Sequence, residues 1–213
     1  MTKPIVYGPA YSTYARTARL ALEEKGVDYD LVEVDILQGA GKSPEHLARH
    51  PFGKVPAFEH EGFALYETDA ITRYVNEAFP GPDLEPSDVR ERARMTQAIG
   101  VIGGYAYPCL ITQIFVQRAI MPMLGNASDE AAISQALPQA KTCLEALEKL
   151  IDGSPFLAGE KLSRADLLLI PIHDYFSQTP EGQRLLGNAP NLKRWWEGVR
   201  SRPSVDKTRP SLG

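Results

Sequence analysis

The stretch Phe52-Gly53-Lys54-Val55-Pro56-Ala57 places a proline directly before a predicted strand, where it cannot donate a backbone hydrogen bond. A cis Val55–Pro56 bond would turn the chain sharply and expose the backbone N–H and C=O of Val55. Both groups could then pair with a peptide-like ligand that lies alongside as an added strand. The alternative is an ordinary trans proline at a strand start, since only about 5–6% of X-Pro bonds are cis.

Strand and helix signals alternate on both sides of this stretch. Apolar runs predict strands at residues 4–7, 29–34, 55–59 and 63–66, and amphipathic patterns predict helices at residues 12–25, 44–50 and 67–78. The resulting order, β-α-β-α-β-β-α, predicts an α/β domain with a mixed four-stranded sheet. Its first crossover is parallel and right-handed, and its last two strands form an antiparallel hairpin.

A Pro/Gly segment, Phe79-Pro80-Gly81-Pro82, ends this alternation, and strand signals are nearly absent after it. We therefore predict an N-terminal domain at residues 1–79, a linker at 80–87 and an all-helical domain at 88–213. Helices are predicted at 89–124 (bent near Gly103-Gly104 or Pro108), 131–150 (kinked or starting late at Pro138), 166–177 and 192–200. The tail after Arg202 is predicted to be extended.

Two predicted helix N-termini carry hydroxyl groups. Glu67 and Thr68 begin the third helix, where free N–H groups and the helix dipole favour an anion such as a ligand carboxylate. Glu67 could bind an ammonium group of the same ligand. Ser12 begins the first helix, where its hydroxyl could donate to a thiolate. Each of these residues could instead act only as a helix cap.

Bulk properties exclude several classes of protein. The 213 residues carry a formal net charge of −4, which argues against a general nucleic-acid binder. Two cysteines, Cys109 and Cys143, are too few for a disulfide framework and are interpreted as core thiols in a reducing compartment. We find no signal-peptide pattern and no stretch of about 18 apolar residues, so a cytoplasmic protein without a membrane span is predicted.

The order and spacing of these motifs resemble those of a glutathione transferase, nearest to serine-dependent, phi-like and related bacterial forms. The matching segments are Ser12-Thr13, Leu22-Glu23-Glu24-Lys25-Gly26, Pro51-Phe52-Gly53-Lys54-Val55-Pro56, Leu65-Tyr66-Glu67-Thr68-Asp69-Ala70-Ile71, Phe156-Leu157-Ala158-Gly159, Leu162-Ser163-Arg164-Ala165-Asp166 and Ala189-Pro190-Asn191-Leu192, followed by Trp195. They cover nearly the whole chain. The resemblance implies a thioredoxin-like N-terminal domain that binds glutathione as co-substrate and a helical C-terminal domain that shapes the electrophile site.

The resemblance also implies roles for individual residues. Ser12 would stabilise the thiolate, Lys42 and Lys54 would meet the glycine carboxylate of glutathione, and Val55 would pair with the cysteinyl backbone ahead of cis-Pro56; Glu67 and Thr68 would hold the γ-glutamyl end. Relatives often carry His-Lys where this chain has Gly41-Lys42, so one carboxylate contact is expected to be missing. Thr13, Tyr14, Tyr7 and Tyr11 remain rival donors to the thiol.

The second substrate is expected to be a hydrophobic electrophile in an apolar cleft between the two domains. Tyr11, Tyr107, Ile111 and Phe115 are the candidate residues of this site, together with Tyr105, although several of those on the long helix are also typical core residues. A homodimer is implied by the resemblance, with Phe52 as an apolar anchor for the helical domain of a partner. No metal is expected.

Other functions are compatible with the same scaffold. A dithiol redox enzyme is disfavoured, because no cysteine precedes Cys109 and Ser12 occupies the place of the reactive thiol. A non-catalytic glutathione-binding or regulatory protein remains open. Glutathione-dependent peroxidase, isomerase and dehalogenase activities also remain open.

Two further patterns are interpreted structurally. Ser163-Arg164-Ala165-Asp166 is a capping box at the start of a helix. His46 and His50 are four residues apart, as in some metal sites, but no clear third ligand is present, so they are predicted to be a surface pair.

Overall fold

The computed structural model describes residues 2–210, which form two compact units. The first unit extends to Leu84 and also contains the segment from Ser201 onwards, and the second comprises Glu85–Arg200. The predicted domains of 1–79 and 88–213 are thus corrected in one respect. The C-terminal segment belongs to the first unit and not to the helical one.

The first unit is built on the predicted four-stranded sheet. Its strands are β1 (Ile5–Tyr7), β2 (Asp30–Val32), β3 (Ala57–His60) and β4 (Phe63–Tyr66), in the spatial order β2-β1-β3-β4. β1 pairs with β2 in parallel and with β3 antiparallel, and β3 pairs with β4 antiparallel. The mixed sheet and its β-α-β-α-β-β-α order are confirmed.

Three helices surround this sheet, and a short 3₁₀ turn lies between two of them. They are α1 (Thr13–Glu24), the turn Ala40–Lys42, α2 (Pro44–Arg49) and α3 (Thr68–Ala78). The predicted apolar face of α1 is buried, including Ala15, Ala18 and Leu22. The helix ends before Gly26, whose φ of 69° is the left-handed conformation that glycine adopts without steric cost.

The second unit contains helices only among its described elements. They are α4 (Val89–Met123), α5 (Glu130–Ile151), α6 (Arg164–Phe176), α7 (Pro180–Leu186) and α8 (Pro190–Val199). The sequence predicted four of them within a few residues and missed α7. The capping box is confirmed at the start of α6, where Ser163 and Asp166 bond each other's backbone N–H groups.

The long helix α4 changes its hydrogen-bonding pattern along its length. It is α-helical from Val89 to Val101 and π-helical from Ile102 to Ile120, with a final turn at Met121–Met123. The change falls directly before Gly103-Gly104, where the sequence predicted a bend. Glycine has a low helix propensity, and Pro108 has no backbone N–H to donate. Regular i→i−4 hydrogen bonding is therefore less favourable in this part of the helix.

The composition of α4 corrects the prediction that no apolar stretch reaches the length of a membrane span. One window of 18 residues within Val89–Met123 has a mean hydropathy of 1.5, which is apolar enough to cross a bilayer by length and composition alone. In this structure 39% of that window is buried. Ile102, Leu110 and Ile114 lie in the core of the second unit. A core helix meets the same criterion, so the finding is weak evidence for a membrane span.

The C-terminal segment was predicted to be extended, but Pro203–Thr208 forms a helix, α9. Two arginines of α1 hold it: Arg16 Nη2 donates to the Val205 carbonyl (3.5 Å), and Arg19 Nη1 donates to the Thr208 carbonyl (3.3 Å). Arg202 in turn pairs with Glu24 at 2.6 Å. Because Arg16 is completely buried, this segment is part of the packing of the first unit.

Candidate functional site

The strand pairing brings three loops to one edge of the sheet. Tyr7 lies opposite Ala57, and Ala57 lies opposite Tyr66. The chain leaving β1, the chain entering β3 and the chain leaving β4 are therefore neighbours. These loops carry Ser12, Val55 and Glu67, which the sequence analysis named as candidate binding residues.

Gly8 connects the first two of these loops. A Cβ atom at Gly8 would lie 3.1 Å from the Cβ of Ala15 and 3.2 Å from the Cβ of Val55. The first turn of α1 and the chain around Val55 thus pack on either side of this glycine. A larger residue at position 8 would push them apart, so the close approach depends on glycine.

Ser12 is the N-cap of α1 and is partly exposed. Its Oγ accepts a hydrogen bond from the Ala15 N–H at 3.3 Å. This bond uses a lone pair of the hydroxyl and leaves its proton available to a further acceptor. The two interpretations of Ser12, as a cap and as a donor to a thiolate, are therefore compatible in one side chain.

The Val55–Pro56 bond is cis, as predicted. The Val55 side chain is buried. Among residues 2–210, however, neither the backbone N–H nor the C=O of Val55 has a hydrogen-bond partner. A buried segment with an unpaired donor and an unpaired acceptor is able to bind the backbone of an extended ligand. The exposed Lys54 directly precedes it.

Glu67 and Thr68 lie at the N-terminus of α3. Glu67 has a φ of 71°, in the left-handed region that is unusual for a residue with a side chain, and its side chain makes no capping bond. Such strain costs about 1–3 kcal/mol and is concentrated at functional sites. The first intrahelical bond runs from Ile71 N–H to the Glu67 carbonyl, so the N–H groups of the first turn are not used by the helix. Thr68 itself is buried.

A second close approach explains the sequence Gly41-Lys42. A Cβ atom at Gly41 would lie 2.5 Å from the Gly53 carbonyl oxygen, and one at Gly53 would lie 2.8 Å from the Gly41 carbonyl oxygen. No side chain fits at position 41 without a shift of the backbone, which accounts for the absence of histidine there. The contact also brings together the loops that carry Lys42 and Lys54, both of which are exposed.

The rival tyrosines have other neighbours. The Tyr7 hydroxyl donates to Glu59 at 3.2 Å, and the Arg49 guanidinium lies 4.3 Å above the Tyr7 ring. Burial, followed by the charge of Asp35, raises the pKa of Tyr11. Tyr7 is thus engaged on β3, while Tyr11 remains a protonated phenol at neutral pH beside the chain that follows β2.

The candidate electrophile residues of α4 differ in exposure. Ile111 and Phe115 are buried, and the Phe115 ring stacks on Tyr175 at 4.6 Å between centroids. Tyr107 is partly exposed and Tyr105 is 57% exposed. Ile111 and Phe115 are therefore core residues of the second unit, and a role in substrate binding stays a prediction for all of them.

The histidine pair is not on the surface, which corrects the prediction. His46 and His50 are each 2% exposed, and their rings lie 6.3 Å apart. Burial lowers the pKa of His50, although the charge of Glu67 acts in the opposite direction. Among residues 2–210 no group of three His, Cys, Asp or Glu side chains is arranged to hold a metal ion. The sequence alone gave no signal for this burial, because it depends on the loop at residues 50–56.

The two cysteines lie where the sequence predicted core thiols. Cys109 on α4 and Cys143 on α5 are both buried and free, with 4.0 Å between their sulfur atoms. Both belong to the second unit, whereas the loops that carry Ser12, Val55 and Glu67 belong to the first. The residue at the N-cap of α1 is Ser12 and not a cysteine.

Comparisons with known proteins agree with this arrangement. A family model described as the glutathione S-transferase N-terminal domain matches residues 4–77, and one described as the C-terminal domain matches residues 101–203. A probable glutathione S-transferase of Oryza sativa subsp. japonica is 36% identical over 211 residues, which cover 97% of this chain and 95% of the relative.

Solved structures give the same result. Glutathione transferase F7 from Populus trichocarpa has a TM-score of 0.87 and 32% identity, with 96% of this chain and 97% of that chain covered. Glutathione S-transferase I from maize, solved with an atrazine glutathione conjugate, has a TM-score of 0.85 and 33% identity, with 97% and 96% covered.

Proposed function

This chain belongs to the glutathione S-transferase family and is a glutathione transferase, and we propose that the loops at the sheet edge bind glutathione so that Ser12 activates its thiol. The observation that carries the proposal is the position of Ser12. Its Oγ accepts the Ala15 N–H at the positive end of α1, and its proton is left to donate. A thiolate placed there would accept a hydrogen bond from the Ser12 hydroxyl and would be stabilised by the helix dipole.

The remaining anchors match the groups of glutathione. Lys42 and Lys54 are proposed to meet the glycine carboxylate, and the unpaired backbone of Val55, ahead of Pro56, is proposed to pair with the cysteinyl residue. Glu67 would take the γ-glutamyl ammonium group. The γ-glutamyl carboxylate would lie at the N-terminus of α3, against Thr68.

The size of the expected effect of Ser12 follows from the energetics of one hydrogen bond. A free thiol has a pKa of about 8.5, and only its thiolate is a strong nucleophile. A hydrogen bond to a charged group contributes about 1.5–3 kcal/mol, and one pKa unit corresponds to about 1.36 kcal/mol. One bond from Ser12 therefore lowers the pKa of the bound thiol by about one to two units, enough to ionise much of it at neutral pH.

The Ser12→Ala variant tests this role. We expect glutathione affinity to change little, because the anchors lie elsewhere, and turnover of a chlorodinitrobenzene-type electrophile to fall about tenfold or more at neutral pH. Turnover should recover as pH rises and the thiol ionises without help. Wild-type turnover with an unchanged pH profile in this variant would assign activation to another group, such as Thr13.

The second substrate is proposed to be a small hydrophobic electrophile that contacts Tyr11, Tyr107, Ile111 and Phe115. Of these, Tyr11 and Tyr107 are supported best, because the other two are core residues. Parallel assays of conjugation, peroxide reduction, isomerisation and dehalogenation, each with glutathione, would identify the reaction. A role in detoxification in the cytoplasm is part of the same proposal, and the free thiols of Cys109 and Cys143 fit a reducing compartment.

A homodimer is also proposed, with Phe52 as the anchor. Phe52 is 69% exposed and lies in the loop at residues 50–56, which also carries Val55. The second unit carries an open apolar cavity of about 390 Å³, lined by Val101, Tyr105, Gln139, Thr142, Cys143 and Ala146. An aromatic ring from a second copy fits the size and chemistry of this cavity, and burying it there removes a large exposed apolar side chain from water.

A further inference from the structure

His46 lies on α2 with its ring buried behind the loop of the proposed glutathione site. Its Nε2 is 2.7 Å from the Lys54 carbonyl oxygen. A carbonyl oxygen only accepts hydrogen bonds, so Nε2 carries the ring proton and donates it. The other ring nitrogen, Nδ1, is buried and has no hydrogen-bond partner within the described part of the chain. Within the described part of the chain, the ring therefore makes its hydrogen bond through Nε2 alone, and the partner is a backbone carbonyl.

The bond from His46 also determines the direction of a second group. The peptide between Lys54 and Val55 is trans, since Val55–Pro56 is the only cis bond among residues 2–210. In a planar trans peptide the C=O and N–H point in opposite directions. A side chain that holds the Lys54 carbonyl on one side therefore directs the Val55 N–H to the other side.

That N–H is one of the two unpaired backbone groups of Val55. Lys54 and Val55 lie between Gly53 and the cis-proline, in a loop outside the hydrogen-bonded strands. The sheet ladder therefore does not orient this peptide, whereas the short bond from His46 does. Donation to the carbonyl also polarises the peptide and strengthens its N–H as a donor.

We propose that His46 is a positioning residue for glutathione, which acts through the Lys54 carbonyl to orient the Val55 N–H toward the carbonyl of the cysteinyl residue. The role rests on the proposed function of this site. It predicts an effect on glutathione affinity and none on the pKa of the bound thiol, because thiol activation is assigned to Ser12 on α1.

Two substitutions at position 46 and one control separate this role from simple packing. His46→Phe keeps an aromatic ring but removes the donor, and we expect the Kd for glutathione, measured by calorimetry, to rise about tenfold. His46→Gln keeps an N–H donor near the position of Nε2 and should restore the Kd to within about threefold. His173→Phe replaces another buried histidine in the second unit and should leave the Kd unchanged. The pKa of the bound thiol, followed by thiolate absorbance, should stay the same in all three.

Several outcomes would overturn the proposal. A folded His46→Phe variant with wild-type affinity for glutathione would show that His46 does not position the ligand. A His46→Gln variant that loses as much affinity as His46→Phe would show the same. A wild-type protein that does not bind glutathione overturns the proposed function first, and this role with it.

If His46→Phe does not fold, two measurements on the wild-type protein decide. Nitrogen NMR of the His46 ring should show a protonated Nε2. Amide exchange should show the Val55 N–H protected when glutathione binds. An unprotonated Nε2, or a Val55 N–H that bound glutathione does not protect, overturns the proposal.

Discussion

At the scale of single residues, His173 on α6 shows how burial alters titration. Its ring stacks on Trp196 at 4.5 Å and contacts the edge of Trp195. Burial lowers its pKa from 6.5 to about 4, and the opposing charge of Asp174 only partly offsets this. The folded protein therefore keeps the imidazole neutral across a range of pH in which the unfolded chain is protonated.

The sign of the resulting pH dependence follows from proton binding. Between pH 6.5 and about 4 the unfolded chain binds the proton and the folded protein does not, so stability is lost as pH falls. From pH 7.5 to pH 5 the loss attributable to this residue is about 2 kcal/mol. Urea denaturation at the two pH values should show this loss in the wild type, and His173→Phe should abolish most of it. An equal loss in both proteins would contradict the assignment.

At the scale of secondary-structure elements, the start of α6 is held by several hydrogen bonds to one buried carboxylate. The Asp166 carboxylate accepts from the Leu157 N–H (2.9 Å), the Ser163 N–H (2.8 Å) and the Trp195 Nε1–H (2.9 Å). It is also 2.7 Å from the Ser163 hydroxyl. One completely buried side chain thus joins the loop before α6, the N-terminus of α6 and the helix α8.

Replacement of Asp166 should therefore cost far more than the loss of an ordinary cap. In Asp166→Ala three buried N–H donors lose their acceptor, at about 1–3 kcal/mol each, and we expect the free energy of unfolding to fall by about 3–5 kcal/mol. Asp129 caps α5 from an exposed position, where its carboxylate accepts from the Ala132 N–H, so Asp129→Ala should cost about 1 kcal/mol. Chemical denaturation of both variants gives the comparison, and similar losses would show that the buried network contributes little.

At the scale of the whole molecule, the exposed Phe52 and the apolar cavity of the second unit make self-association testable. Light scattering at micromolar concentration should give a dimer for the wild type, and Phe52→Ala should weaken the dimer at least tenfold because a buried aromatic anchor is removed. Phe63→Ala is the matched control, since Phe63 is also exposed on the first unit, at 49%. A monomeric wild type, or a Phe52→Ala dimer of unchanged affinity, would rule out this interface.

Local sequence signals were sufficient for most of the fold. The effects of prolines, glycines and apolar periodicity act within a few residues of the chain. The order of strands and helices along the sequence, including α1 and α3, could therefore be predicted without a structure. The position of Ser12 as an N-cap was predicted for the same reason, whereas the cis bond before Pro56 was predicted from the family resemblance of its motif, because X-Pro bonds are mostly trans. The proposed site lies on these elements, and its residues were named from the family resemblance that their motifs carry.

Other features depend on residues that are far apart in the chain, and only the tertiary structure decided them. The assignment of the C-terminal segment to the first unit rests on contacts such as Arg16 to Thr208, which are 192 positions apart. The burial of His46 depends on the Lys54 loop folding over it, and glycine at position 41 is required by the backbone of Gly53. Periodicity along one segment carries no information about which distant segment will cover it, because that contact is selected by the packing of the whole unit.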